Sequence, residues 1–404
     1  MNYRNKNFFI ENISAEKIAK KYGTPTYCYS YNKIRNNIVN FKKYFKSIDP
    51  LICFSVKSNN NLHILKNIKK LGLGADVVSQ GELMKALKAG INSKKIVFSG
   101  VGKTAEELEF AIKKNILLIN AESESEIDQI EKIAIRQNKK VSIGLRLNPN
   151  TDAKTIKKIS TGRKEDKFGL TKYNFLKLVK KYKNSKFIKL KCLSVHIGSQ
   201  ITSHLPYANM LKVISQVLKQ SNYYFEYIDL GGGMGIRYSK TNKSLNYKKY
   251  NNLIKKFLKK NKTKIIFEPG RSIIGNAGLI LSKIIYIKKT NNKNFVILDT
   301  AMNDLLRPAL YGAFHNIIPS VKNSSYINKN HEFVGPVCET TDKFLNLKKF
   351  QKLNEKDILI ICDVGAYGMV LSSNYNVRTK PCEILINKSS VKLISKREKL
   401  SNIV

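Results

Sequence analysis

Between about residue 26 and residue 275 the chain repeats one pattern, a short apolar run followed by a stretch whose apolar residues recur at helical spacing. The runs are 51–56 (LICFSV), 73–78 (LGADVV), 95–98 (KIVF), 116–120 (ILLIN), 141–147 (VSIGLRL), 192–197 (CLSVHI), 227–230 (YIDL) and 265–268 (IIFE). Stretches such as GELMKALKAG and EIDQIEKIAIRQ fill the gaps between them. Eight strand–helix units over 26–275 predict a (β/α)8 TIM-type barrel of the α/β class. A doubly wound open sheet is the alternative, and eight units suit it less well. After residue 276 the rhythm changes. LILSKIIYIKK, NFVILDTA, HEFVGPVCETTD and DILIICDVGAYG read as short strands separated by turns, which predicts a smaller antiparallel β domain over 276–404.

Composition changes this picture little. The 73 Lys and Arg against 29 Asp and Glu give a net charge of +44, which by itself would suggest nucleic acid. The lysines, however, are spread along the whole chain beside Asn and Ile, and Trp is absent. All of this follows from A/T-rich codons, so no specific nucleic-acid partner is expected, only weak and salt-sensitive binding to polyanions. No apolar run is long enough to cross a bilayer. The stretch MNYRNKNFFIENISAEK has no continuous apolar core, so no signal peptide is expected. The six cysteines form no CxxC pair and mostly sit in strand-like runs, which predicts reduced thiols in a cytoplasmic protein. His63, His204, His315 and His331 lack metal-ligand spacing, and no metal site is expected.

Barrel enzymes do their chemistry at the C-terminal ends of the strands. At those ends stand Lys57 after the first run, His196 in the sixth with Ser199 close behind, the glycines of 231–235 after the seventh, and Glu268-Pro269-Gly270-Arg271 at the eighth. The glycines fail the GxGxxG pattern because Ile236 takes the last position, and residues 100–104 (GVGKT) fail as a Walker loop because Val97 stands where glycine is needed. They can still bring bare N–H groups to a phosphate. Lys57 is either a solvated rim lysine or a partly desolvated amine able to attack a carbonyl. A Schiff-base lysine, a phosphate loop, a flat imidazole and a carboxylate are together the parts of a pyridoxal phosphate site.

These residues lie in stretches that, in order, resemble the diaminopimelate decarboxylase family of the alanine-racemase-like barrel group. The stretches are FSVKSN (54–59), GLGADVVSQGEL (72–83), DAKTIKKISTGRKEDKFG (152–169), HIGSQI (196–201), DLGGGMGI (229–236), EPGRSIIGNAG (268–278), RPALYGAFH (307–315), GPVCETTD (335–342) and GAYGMVLSSNYN (365–376). The resemblance implies pyridoxal 5'-phosphate as cofactor and decarboxylation of meso-2,6-diaminopimelate to L-lysine and CO2, the last step of lysine biosynthesis. It implies that Lys57 carries the cofactor, His196 stacks on it, and Glu268 pairs with its ring nitrogen. The phosphate would fall to Gly233 and to Pro269, Gly270 and Arg271, with Ser199 nearby. Arg271, Arg307, Tyr311, Glu339 and Tyr367 would bind substrate, Tyr367 also approaching the cofactor. Cys338 would be the catalytic acid, supplied by the second subunit of a head-to-tail homodimer with shared active sites. The first 25 or so residues would join the β domain, which would contribute substrate and dimer-interface residues. A carboxylate at the ring nitrogen speaks against a racemase, in which the family's relatives use arginine. The chain departs from the family pattern at Ser194, Ile156, Thr340, Thr341 and Lys380. On the same fold, ornithine, arginine or carboxynorspermidine is the alternative substrate. A non-catalytic pyridoxal phosphate carrier would need neither GPVCE nor a β domain, and an RNA-binding protein would cluster its basic residues among aromatic ones.

Overall fold

The computed structural model describes residues 1–239, 241 and 243–404. The chain divides into two compact units, one of residues 38–236 and 243–272, the other of residues 1–37, 237–242 and 273–404.

The first unit is a closed barrel of eight parallel strands: Leu51–Ser55, Gly74–Val77, Ile96–Phe98, Leu118–Ala121, Val141–Arg146, Ile188–Ser194, Tyr227–Asp229 and Lys264–Phe267. Each falls in or overlaps an apolar run of the sequence, because a parallel strand covered by helices outside and side chains inside is buried on both faces. The sixth strand is the exception in placement. It starts at Ile188, where buried Ile188 and Leu190 alternate with more exposed Lys189 and Lys191, and it ends at Ser194, so His196 lies in the loop beyond it. The helices that follow the strands start where a polar side chain can accept the first free N–H groups. Ser79, Ser123, Thr171 and Asn246 each accept from the residue three further on, and Thr104 with Glu107 forms a reciprocal capping box.

Inside the barrel the lower layer is apolar, with Cys53, Val97, Leu118, Cys192 and Ile266 in one cluster. The layer toward the C-terminal strand ends is polar and contains Ser55, Asp76, Asn120, Ser194, Asp229 and Glu268, all buried. Barrel closure pairs the eighth strand with the first, Ile266 opposite Leu51 and Phe267 opposite Ile52.

The second unit is built on a nine-stranded sheet centred on the twelve-residue strand Gly278–Lys289. Its pairings are mostly antiparallel, but Thr26–Ser30 runs parallel to Cys382–Asn387, and Lys293–Leu298 parallel to Asn330–Val334. The sheet is thus mixed rather than purely antiparallel. Thr26–Ser30 also shows that residues 26–30, expected within the barrel segment, pair in this sheet, beside Gly278–Lys289. Its core gathers Phe8, Ile10, Ile18, Cys28, Leu281, Ile360, Ile384 and Ile386. All six cysteines are free thiols, and among the described residues no helix is long and apolar enough to cross a membrane.

Candidate active site

The first barrel strand leads straight into a single 3-10 turn, Val56–Ser58, which carries Lys57. The Lys57 Nζ lies 3.2 Å from Oδ2 of Asp76, a fully buried residue of the second strand. The Ser55 hydroxyl donates to the same oxygen at 2.6 Å. The Lys57 side chain remains 35% exposed, so the amine has a buried countercharge beneath it and an open side toward a ligand.

Glu268 follows the eighth strand. Because that strand pairs with the first, the two loops meet, and the Ser55 N–H donates to the Pro269 carbonyl at 3.2 Å. Lys57 and Glu268 therefore stand on one rim, close enough for the lysine charge to favour the glutamate anion. Burial works the other way and pushes the Glu268 carboxyl well up, with Asp229 and Asp76 adding to the rise. Asp229 accepts from the Gly231 N–H at 2.9 Å, from Asn120 at 3.1 Å and from the Ser194 hydroxyl at 3.3 Å. Burial raises it to about 6 despite these donors and its hydrogen bond with Glu268. Burial and the crowding of acids therefore push both carboxyls above their ordinary range.

The glycines after the seventh strand sit where side chains cannot. A Cβ at Gly232 would stand 2.1 Å from the Glu268 carbonyl oxygen, and Gly233 has φ +83° with the Gly198 carbonyl at 2.2 Å from its missing Cβ. Tyr207 donates to the Gly232 carbonyl at 3.1 Å and pins this loop from below. The Gly232 N–H in turn donates to His196 Nδ1 at 3.1 Å. An accepting Nδ1 puts the ring proton on Nε2, and burial, followed by the charges of Lys57 and Arg146, holds the imidazole neutral. Arg271 donates to the Ser199 hydroxyl at 3.1 Å.

This half of the expected constellation is thus brought together at one mouth: Lys57, His196, Ser199, Gly233, Glu268, Pro269, Gly270 and Arg271. The remaining residues belong to the other unit. Arg307 is buried and opens the short helix Arg307–Tyr311, while Tyr311 and Tyr367 are partly buried, the latter with φ +57°. Cys338 and Glu339 are exposed, and the Tyr375 hydroxyl donates to Glu339 at 2.5 Å.

Three acidic residues of the barrel site escape a reading by strand ends alone. Asp76 and Asp229 pair with Lys57 and Glu268, and Glu122 forms a buried 2.7 Å ion pair with Arg146. A usable signal was present for the first two. Each is a carboxylate inside an otherwise apolar run, as conspicuous as the lysine that follows the first run. The site fits pyridoxal phosphate on its own chemistry. It offers a partly exposed amine, a glycine loop with no room for a side chain at positions 232 and 233, a neutral flat ring and a buried acid able to face a cationic nitrogen.

Comparison with known proteins agrees. Residues 31–275 match the family described as pyridoxal-dependent decarboxylase, pyridoxal binding domain. The diaminopimelate decarboxylase of Aquifex aeolicus is 40% identical over 100% of this chain and 96% of its own length. The crystal structure of diaminopimelate decarboxylase from Helicobacter pylori complexed with L-lysine superposes with a TM-score of 0.92 at 39% identity, covering 96% of this chain and 98% of that one. The enzyme from M. jannaschii, in co-complex with L-lysine, gives 0.94 at 35% identity over 100% of this chain and 96% of that one.

Proposed function

Because the chain belongs to the diaminopimelate decarboxylase family of the pyridoxal-dependent decarboxylases, we propose that it removes CO2 from meso-2,6-diaminopimelate and leaves L-lysine, the closing step of lysine biosynthesis. The observation that carries the reading is the common rim of Lys57 and Glu268 where the first and last barrel strands pair. An amine and an acid placed there can hold opposite features of one small aromatic aldehyde.

In this reading pyridoxal phosphate, when bound, supplies an electron sink for the bond between Cα and the departing carboxylate. Lys57 holds the aldehyde end, and Asp76 keeps the amine oriented and charge-balanced until it is engaged. His196, held neutral, would face the ring and so would add no second cation. The N–H groups around Gly233, Gly270 and Arg271, with Pro269 shaping the turn and Ser199 beside them, take the phosphate. Glu268 ionises next to a cationic ring nitrogen, since that charge offsets the neighbouring Asp229 carboxyl. Arg271 and Arg307 bind the carboxylate that stays on the product, in the paired N–H geometry guanidinium allows. Tyr311 and Tyr367 complete the substrate contacts, and Glu339 takes the ammonium. Cys338 returns a proton to Cα from one side. It comes from the second subunit of a head-to-tail homodimer, a role that its exposure in the single chain supports. Free thiols at all six cysteines support a cytoplasmic setting.

The test is to incubate the purified protein and pyridoxal phosphate with meso-diaminopimelate, ornithine and arginine in turn and to follow CO2. Release from diaminopimelate is expected. Release from ornithine with none from diaminopimelate would overturn the substrate.

A further inference from the structure

Arg307 does not stand alone in its unit. Its Nη1 lies 2.7 Å from Nε2 of His315, and His315 Nδ1 lies 2.8 Å from the carbonyl oxygen of Cys362. His315 is fully buried and Arg307 nearly so. The Tyr238 ring packs on both, its centroid 4.9 Å from the guanidinium carbon and 5.3 Å from the imidazole centroid at 79°.

The hydrogen-bond roles follow from the atoms. A carbonyl oxygen only accepts, so His315 Nδ1 must carry the proton. A guanidinium only donates, so Nε2 must present its lone pair. One form of the ring satisfies both contacts, the neutral Nδ1–H tautomer, and the Cys362 carbonyl selects it. The acceptor on Nε2 then fixes the in-plane rotation of the Arg307 fork, while Tyr238 fixes its plane. Bidentate recognition of a carboxylate depends on both. We propose that His315 is a positioning residue for substrate recognition: the Cys362 carbonyl sets its tautomer, and its Nε2 aims Arg307. This rests on the reading of Arg307 as a substrate residue. It gives a recognition role to a histidine that motif spacing leaves without one.

The test compares two amides. His315→Gln places an acceptor near the Nε2 position, and His315→Asn keeps only a donor toward Cys362. In the loaded enzyme, His315→Asn should raise KM for meso-diaminopimelate about 10-fold, with a smaller change in kcat, while His315→Gln stays within about threefold, the size expected of one hydrogen bond to a charged group. Calorimetric binding of L-lysine, which retains the carboxylate in question, should weaken in parallel. Arg307→Lys should raise both values, and the double variant Arg307→Lys/His315→Asn should be no worse than Arg307→Lys alone. Equal KM and lysine affinity in the Asn and Gln variants, with Arg307→Lys impaired, overturn the positioning role and leave the reading of Arg307 intact. An unimpaired Arg307→Lys overturns that reading, and the role of His315 with it. Histidine-selective nitrogen-15 NMR of the unsubstituted holoenzyme needs no variant to fold. A proton on Nδ1 of His315 and none on Nε2 supports the proposal, and the opposite tautomer overturns it.

Discussion

Asp229 and Glu268 are held side by side with Asp76 close enough to add its charge, and this crowding has a measurable consequence. Folding raises Asp229 from its ordinary 3.8 to about 6 and pushes Glu268 well above its ordinary value, in both cases mainly by burial. A carboxyl raised on folding binds more protons in the native state than in the unfolded chain between those two values. Stability therefore falls as pH rises through that window. Asp363, raised to about 6, and Asp304, raised to about 7, both by burial, act in the same direction. The cofactor-free protein should lose melting temperature between about pH 4.5 and about pH 7, and Asp229→Asn should flatten that slope by removing one member of the pair. An unchanged slope would mean that Asp229 is not raised by its place beside Glu268. Neither partner is hidden in the sequence. Both carboxylates sit in apolar runs, as Asp76 does, but their pairing cannot be read along the chain. Asp229 and Glu268 come from adjacent barrel strands separated by a whole helix.

The glycine loop is an element whose geometry leaves no slack. At Gly232 the nearest obstruction is backbone, the Glu268 carbonyl, which cannot rotate away as a long side chain would. Gly232→Ala should therefore cost about 1–3 kcal/mol as an overpacked site. It should also weaken pyridoxal phosphate binding, because relief requires the loop to move off His196 and Tyr207. Melting curves with and without the cofactor check both effects, and a variant with wild-type cofactor affinity would show that the loop does not form the cradle. The strands themselves were legible because full burial on two faces writes an uninterrupted apolar run. Two placements were not. The sixth strand begins with lysines that face outward, which hides its start, and Thr26–Ser30 (TYCYS) is buried throughout and so carries no mark of which sheet it joins. Its place was set by partners at 278–281 and 382–386, far away in the chain.

The molecule as a whole is expected to work as a pair of chains. If Cys338 serves the neighbouring subunit's site, then Lys57→Ala and Cys338→Ala protein should each be inactive alone, while mixed dimers of the two should regain activity. In a mixed dimer one site receives an intact lysine and an intact thiol. Mixed dimers that remain inactive would place both groups in one subunit's site, and an active Cys338→Ala protein would leave Cys338 without a role. The order of the chain already contained the eight strand–helix units, the loss of that rhythm after residue 276, the glycines and the charged residues at strand ends. Those are local properties, because burial and turn chemistry act on neighbouring residues. The pairings that make the chemistry specific are not local. Lys57 on Asp76, Glu268 on Asp229, Arg307 on His315 and His315 on the Cys362 carbonyl depend on the closure of the barrel, on strand register or on which buried donors and acceptors are left facing each other. A buried polar atom must find its partner in space. Only the folded chain says which atom that is.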